Sequence, residues 1–426
     1  MLYNLKKGSF ENFRFLIFFI YIFKNQTYRC DLKIRVKLKR SNINEFYPII
    51  TKTLLIPNKI MEGFSEVFIP ENYIKRGVSF FDSYDCQQVI DCPSEKIKGL
   101  TKKPNRICRF CGLKYGQVYF KKDAHIISKL LGNNHLVSDF ECDACNLLFS
   151  KYEGHLSHFI GPVRAFLKLY GSQKDYKFKS PDKNVTAENF DLYGIEKSFS
   201  ITREDIEDNT FEIDRKTGEV KVNLIKHSYR PFLVYKSILK IALSSLPKTE
   251  LKNYKLALKY LITTELDDKI KGAANILIYT TPPGTGYKSP FGFLYKKKDE
   301  SRQILNHIFA LYFMNKIYQI VIPLNIKDLS LYNTTEIDVL YSPPIFHDSE
   351  FANKLPIIEQ YLDMSSSELI KSETEIVYLK YDIEEYSKVF AFDPKTNEIT
   401  NRVFDSNNIQ KLVFRNFFYS VIYPHV

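Results

Sequence analysis

The spacing of apolar side chains divides this chain into segments with different predicted structures. Residues 31–57 alternate apolar and polar positions and are rich in β-branched side chains, which predicts strands. Residues 190–226 are predicted to form short strands around turn signals, with the tip of a hairpin at residues 216–219. Residues 231–246 repeat apolar side chains at helical spacing and are bounded by Pro231 and Pro247, so we expect a helix.

The remaining segments complete a coarse map. Residues 251–261 and 301–314 are predicted helices, whereas the polar residues 172–189 and the Pro- and Gly-rich residues 282–286 are predicted loops. This mixture of strand and helix segments is assigned to the α+β class. We therefore predict a β-rich N-terminal segment (1–92), a central module (93–170) and a larger mixed α/β C-terminal region (171–426).

An apolar run at residues 13–23 follows two lysines and looks like the centre of a signal sequence. It is too short to span a bilayer, and no small-residue cleavage site follows it. A buried strand or helix is the better interpretation, and we expect a cytoplasmic protein with no membrane partner. A second interpretation is that translation starts at Met61 and that residues 1–60 are a mis-annotation.

The chain carries a formal net charge of +12, which favours a polyanionic partner because a positive surface raises the rate of encounter with phosphates. The excess is concentrated between residues 94 and 122, which contain nine Lys or Arg and a single acid. The alternative is an ordinary solvated surface. Six cations of this stretch are the predicted nucleic-acid contacts: Lys102, Lys103, Arg106, Arg109, Lys121 and Lys122.

Four of the seven cysteines form two Cys-x-x-Cys pairs, Cys108 with Cys111 and Cys142 with Cys145. Two intervening residues allow a tight turn to aim both sulfurs at one ion, and two such turns complete a tetrahedral zinc site. The 30 residues between the pairs exceed the usual loop, so a folded insertion is expected there. It contains the alternating segment VYFKKDAHII, read as a strand, and a helix is predicted from about residue 144 to 158.

The pattern C-x2-C … D-A-H-I-I … L-G-N … E-C-D-x-C-N … F resembles the HNH endonuclease family, in the branch with a four-cysteine structural zinc. The resemblance covers roughly residues 106–159 and implies a ββα-metal fold that hydrolyses phosphodiesters. It implies that His125 is the general base and that Asn146 binds a catalytic Mg²⁺ or Mn²⁺ ion. DNA is the expected substrate, and RNA is not excluded.

The chain departs from the family pattern just before the histidine, where many members have an acidic metal ligand and this chain has Ala124. Asp123, the acid nearest to His125, and Glu153, two helical turns beyond Asn146, are the candidate replacements. Asp139 and Asn134 both remain candidates for the family's middle polar residue.

Two further functions remain open at this stage. One is a non-catalytic zinc module that binds nucleic acid or protein, which Ala124 favours. The other is a defence-type nuclease effector that stays inactive until its C-terminal region engages a regulatory ligand or partner. Such fusions are known in the family, but this is an analogy with the family and not a feature of the residues.

Overall fold

A computed structural model describes residues 69–92, 101–166, 177–192, 196–205, 210–214, 219–264, 273–281, 287–333, 339–346, 357–380, 389–393, 398–400 and 411–415, with Lys96, Gly99 and Ile337. The predicted strands at 31–57, the apolar run at 13–23 and the predicted loop at 282–286 lie outside these residues. Across the described residues the chain is of the α+β class, as predicted.

The described α-helices differ widely in length. The helices are α1 (Ile74–Ser83), α2 (Asp143–Ile160), α3 (Val163–Phe166), α4 (Pro231–Ser245), α5 (Lys248–Leu251) and α6 (Lys255–Ile262). The predicted helices α2 and α4 are confirmed. The helix predicted at 251–261 is divided, because a 3₁₀ turn at Lys252–Tyr254 separates α5 from α6. None of the described helices has the length and apolar character needed to cross a membrane.

Strands before residue 230 fall into three groups along the chain. They are β1 (Tyr84–Asp91), β2 (Ala124–His125), β3 (Val137–Ser138), β4 (Lys177–Lys179), β5 (Val185–Leu192), β6 (Glu196–Arg203), β7 (Phe211–Asp214) and β8 (Glu219–Ile225). The loop predicted at 172–189 is wrong, since β4 and part of β5 lie there and pair with each other. The hairpin predicted around residues 216–219 is confirmed by the antiparallel pairing of β7 with β8.

The strands after α6 are mostly antiparallel neighbours. They are β9 (Asn275–Thr280), β10 (Tyr287–Lys297), β11 (His307–Met314), β12 (Lys316–Val321), β13 (Ile358–Asp363), β14 (Thr374–Lys380), β15 (Val389–Asp393), β16 (Glu398–Thr400) and β17 (Lys411–Arg415). The helix predicted at 301–314 is wrong because β11 occupies its second half. Every residue of β11 is buried, and a continuous apolar run does not distinguish a strand covered on both faces from a helix.

Two six-stranded sheets organise most of the described chain. The first, which we call the central sheet, has the order β1-β10-β11-β12-β9-β13, and the second has the order β16-β15-β17-β6-β5-β4. A three-stranded sheet, β14-β8-β7, and the two-stranded pair β2-β3 complete the set. The central sheet is antiparallel throughout, and its aromatic core includes stacked rings of Phe291 and Tyr312 at 4.7 Å.

One hydrophobic core crosses the predicted boundary at residue 170. Phe149 and Leu156 on α2 pack in the same cluster as Ile238 and Ile241 on α4 and Ile320 on β12. Helices α2 and α4 therefore lie side by side, and the cysteine-rich region is fixed against the C-terminal region by shared apolar burial. This arrangement places α4 next to the predicted catalytic residues.

Candidate metal centre and active site

The four predicted cysteine ligands lie together in the folded chain. Their sulfur atoms are within 4.8 Å of one another, with 3.7 Å between Cys108 and Cys145 and 3.8 Å between Cys111 and Cys142. Four thiolates at about 2.3 Å from a tetrahedral ion would be about 3.8 Å apart, so the spacing fits a zinc-sized ion. The cluster could hold a structural metal such as zinc.

Local backbone contacts build the first half of this cluster. The Cys108 N–H donates to the Leu113 carbonyl at 2.8 Å, and the Gly112 N–H donates to the Cys108 carbonyl at 2.9 Å. Gly112 has φ of 74°, a left-handed conformation that suits glycine at the tip of a tight turn. The second half is the N-terminus of α2, where Cys142 precedes the first helical residue and Cys145 lies in the first turn.

The segment between the cysteine pairs contains less sheet than its alternating pattern predicts. Only Ala124 and His125 form strand β2, which pairs with Val137 and Ser138 of β3. The backbone N–H groups of Lys121 and Lys122 donate to the Asp143 carboxylate instead of to a strand, which explains why the predicted strand at 118–127 is wrong in extent. The order β2, β3, α2 is nevertheless the order that the pattern predicts.

Asn133, which was not predicted as a site residue, holds the loop between β2 and β3. Its buried amide donates to the carbonyls of Ile127 and Leu136 at 2.6 and 3.0 Å and accepts from the N–H groups of His135 and Leu136. The Gly-Asn dipeptide in the motif was the available signal. The two residues predicted as candidates for the family's middle polar residue have other surroundings. Asp139 accepts from the Thr101 N–H at 2.9 Å, and Asn134 is only partly buried.

His125, the predicted base, is buried on β2 and has an unusual environment. It is 8% exposed, and neither ring nitrogen has a hydrogen-bond partner among the described residues. Burial, with lesser contributions from Lys129 and Lys240, lowers the pKa of His125 to about 4. The imidazole is therefore neutral at pH 7, which is the form that accepts a proton.

A buried ion pair lies directly beside this histidine. Lys240 on α4 donates from Nζ to the His125 carbonyl, and the same Nζ lies 3.2 Å from Glu141 Oε2. Both side chains are almost fully excluded from solvent, at 3% and 0% exposure. Burial raises the pKa of Glu141, and the Lys240 charge acts in the opposite direction. Neither residue was predicted from the sequence, because the contact joins positions almost 100 residues apart.

The predicted ligands of a catalytic ion are not gathered into a closed shell. Asp123 forms an ion pair with Lys96, and the carboxylates of Asp123 and Glu153 and the His125 ring do not lie together within 4.8 Å. The cysteine cluster is the one group of three or more His, Cys, Asp or Glu ligands at that spacing within the part of the chain that the structure describes. Asn146 is partly exposed in the first turn of α2, with its backbone N–H bonded to the Cys142 carbonyl.

The six predicted nucleic-acid contacts have different surroundings. Lys102, Lys103, Lys121 and Lys122 are exposed, and Arg106 donates from Nε to the Thr101 carbonyl at 3.0 Å. Arg109 instead packs 3.9 Å from the centre of the Phe140 ring. Its guanidinium donates to the carbonyls of Leu243, Ser244 and Leu246, at and beyond the C-terminal end of α4. This cation complements the negative end of the helix dipole, so we do not assign it to a nucleic-acid surface.

The chain was compared with protein-family models, with curated proteins and with solved structures. None of them matches it. The functional assignment therefore rests on the geometry of the residues described above.

Proposed function

We propose that the module around the cysteine cluster is an HNH-type endonuclease that hydrolyses phosphodiesters in DNA, with RNA as the alternative substrate. In this proposal Cys108, Cys111, Cys142 and Cys145 bind a structural zinc ion. The exposed lysines contact phosphates, which gives affinity with little base preference.

The observation that carries the proposal is the state of His125. A buried histidine with a purely structural role is expected to have hydrogen-bond partners, because leaving a buried polar group unpaired costs about 1–3 kcal/mol. His125 has none among the described residues, although its backbone is held on both sides. A neutral imidazole with unused nitrogens is suited to take a proton from water as that water attacks phosphorus.

Asn146, Asp123 and Glu153 are the residues that would hold a catalytic divalent cation. Amide and carboxylate oxygens are the ligands that Mg²⁺ and Mn²⁺ prefer, and Asn146 and Glu153 are seven residues apart on α2, about two turns along one face. Such an ion supplies Lewis-acid polarisation of the phosphate when bound. The chain contributes the base, the position of the scissile phosphate and the cationic surface around it.

Purified protein and supercoiled plasmid provide the test. We expect conversion of supercoiled to nicked or linear DNA only when Mg²⁺ or Mn²⁺ is added. Asn146→Ala should reduce the rate and raise the ion concentration needed, whereas Ser150→Ala, one turn further along the same helix, should behave as wild type. Failure of the wild-type protein to cut DNA or RNA at any concentration of either ion would reject the proposal and favour a zinc-dependent binding module.

One observation favours a regulated form of the same enzyme. The ring of His125 is buried, and Lys240 from the C-terminal region holds the backbone of the same residue. A ligand or partner that moves α4 would therefore change the exposure of the base. This candidate predicts a low basal rate that rises on engagement of the C-terminal region, and the plasmid assay with and without cell extract tests it.

A further inference from the structure

The cysteine-rich module exposes several large apolar side chains. Five of them lie between residues 107 and 147, and they are Ile107, Leu113, Tyr115, Tyr119 and Leu147. Tyr119 is the most exposed, at 66%, and Tyr115 is 46% exposed. Neither the cysteine cluster nor the proposed role of His125 explains why these side chains are exposed. A folded protein does not gain stability by presenting aromatic rings to water.

Four of the five, all but Leu147, lie in a stretch whose charged side chains are all basic. Residues 101–122 contain seven Lys or Arg and no Asp or Glu, so the exposed rings are interleaved with cations. Lysine is depleted in the centres of protein–protein interfaces, whereas aromatic rings interleaved with cations are typical of surfaces that bind single-stranded nucleic acid. The charge and the rings together therefore favour a nucleic-acid partner over a protein partner.

Backbone contacts fix both tyrosines in place. The Tyr115 N–H donates to the Arg106 carbonyl at 2.9 Å, and Gly116, with φ of 94°, turns the chain immediately after it. The carbonyl of Tyr119 accepts from the Asp143 N–H at 2.9 Å, which attaches this residue to the N-terminus of α2. Asn146 lies in the first turn of the same helix, so the Tyr119 backbone is bonded to the turn of α2 that carries Asn146.

Lys121 completes the arrangement at Tyr119. Its Nζ lies 4.6 Å from the centre of the Tyr119 ring, within the range of a cation–π contact. Its backbone N–H is bonded to the Asp143 carboxylate, so the backbones of Tyr119 and Lys121 are both bonded to the start of α2. A nucleotide needs two complementary groups, an aromatic face for its base and a cation for its phosphate, and this pair offers both.

We infer that Tyr119, with Tyr115 and Lys121, forms a stacking platform for unpaired bases, and that the substrate of the proposed nuclease has a single-stranded region next to the cleavage site. Bases in an intact duplex are stacked on each other, so their faces are not available to a protein side chain. Only an unpaired or flipped nucleotide presents a face that an exposed tyrosine can cover. The inference deepens the proposed function and rests on it for the identity of the scissile bond.

Binding measured without cleavage tests the platform. Full-length protein, without added divalent ion and without chelator, is titrated into a labelled single-stranded oligonucleotide and into the same oligonucleotide annealed to its complement. We expect the single strand to bind more tightly. Tyr119→Ala should weaken single-strand binding on the order of tenfold and leave duplex binding within about twofold, because stacking contributes only when the base is free.

Two variants serve as matched controls. Tyr119→Phe keeps the ring and should retain single-strand affinity, and Tyr361→Ala removes a comparably exposed tyrosine of β13 and should have no effect. Equal losses on both DNA forms, or no loss with Tyr119→Ala, would overturn the platform. Binding to anionic phospholipid vesicles that depends on Tyr119, with no preference for single strands, would overturn it as well.

The two proposals can fail separately. Tyr119-dependent binding of single strands by a protein that never cuts would keep the platform and reject the nuclease. Plasmid cleavage by a protein whose binding ignores Tyr119→Ala would keep the nuclease and reject the platform.

Discussion

The cysteine-rich module and the central sheet are stabilised by different kinds of contact. Between residues 101 and 142 the described regular strands are β2 and β3, each two residues long, and loop backbone is held by side chains such as Asn133 and Asp143. The central sheet has long strands with fully buried apolar runs, such as β11. The sheet can be stabilised by hydrophobic burial and a backbone ladder, whereas the module depends on a few specific contacts.

Because of this difference, the chemically active groups lie in one region and most of the stabilising contacts lie in the other. A region held by point contacts can present polar and charged groups that a close-packed sheet would exclude. The module accordingly contains the sulfur cluster and the imidazole of His125, which has no hydrogen-bond partner among the residues that the structure describes. Helix α4, which shares a hydrophobic core with the central sheet, supports the module. Lys240 contacts His125 and Glu141, and carbonyls at the end of α4 accept hydrogen bonds from Arg109.

Removal of one sulfur ligand should give the largest effect. We expect Cys142→Ser to lose bound metal and to unfold the module, since structural zinc binding is coupled to folding. Hydrogen exchange should then increase across residues 101–160 while β10–β12 keep their protection, and metal content is read on the same sample. Cys86→Ser, on edge strand β1 and outside the cluster, should retain metal. A metal-free Cys142→Ser protein with a protected module would contradict the account.

Breaking the buried ion pair should have the next largest effect. Lys240→Met leaves Glu141 without its charge partner in a site of almost no exposure, which should cost about 3–5 kcal/mol of unfolding free energy. Urea denaturation measures it. Glu141→Gln together with Lys240→Met should cost less than the two single variants added, because neither charge remains uncompensated. Strict additivity would show that the pair does not link the module to α4.

Removal of the Asn133 amide should have a smaller effect on stability than breaking the ion pair. Asn133→Ala removes four hydrogen bonds to backbone groups that have little access to water, so we expect a cost of about 2–3 kcal/mol, concentrated in the module. Thermal unfolding followed by metal release gives the readout. The neighbouring Asn134→Ala, whose side chain is only partly buried, should cost less. Equal costs at the two positions would remove Asn133 from its assigned role.

The stability of the central sheet should depend on pH through His307. His307 on β11 is buried, with Tyr254 at 2.7 Å and Gln87 at 3.1 Å from its ring nitrogens, and burial lowers its pKa to about 3. The unfolded chain binds a proton near pH 6.5 and the folded chain does not, so stability is present above that pH and is lost as the pH falls. Between pH 7 and pH 5 this amounts to about 2 kcal/mol. Unfolding measured at both values should show a smaller difference in His307→Gln, and an unchanged difference would contradict the assignment.

The sequence predicted best where the signal is local. The two Cys-x-x-Cys pairs, helix α2 and helix α4 follow from spacing and from flanking prolines, and all three are found in the structure. Strand β11 was mistaken for a helix because an apolar run buried on both faces has no periodicity to read. Lys240 was missed because its contacts with His125 and Glu141 depend on the packing of α4 against α2, and a lysine in an amphipathic helix normally faces water.

The most direct test of the central claim compares plasmid cleavage by His125→Ala and wild-type protein under single-turnover conditions in Mg²⁺ or Mn²⁺. His135→Ala, which removes a partly buried histidine of the same module, is the matched control, and metal content and hydrogen exchange establish that each variant is folded. The account predicts cleavage by the wild type and His135→Ala, and a rate lower by at least about 100-fold in a folded, metal-containing His125→Ala protein. Cleavage by His125→Ala at the wild-type rate would contradict the account.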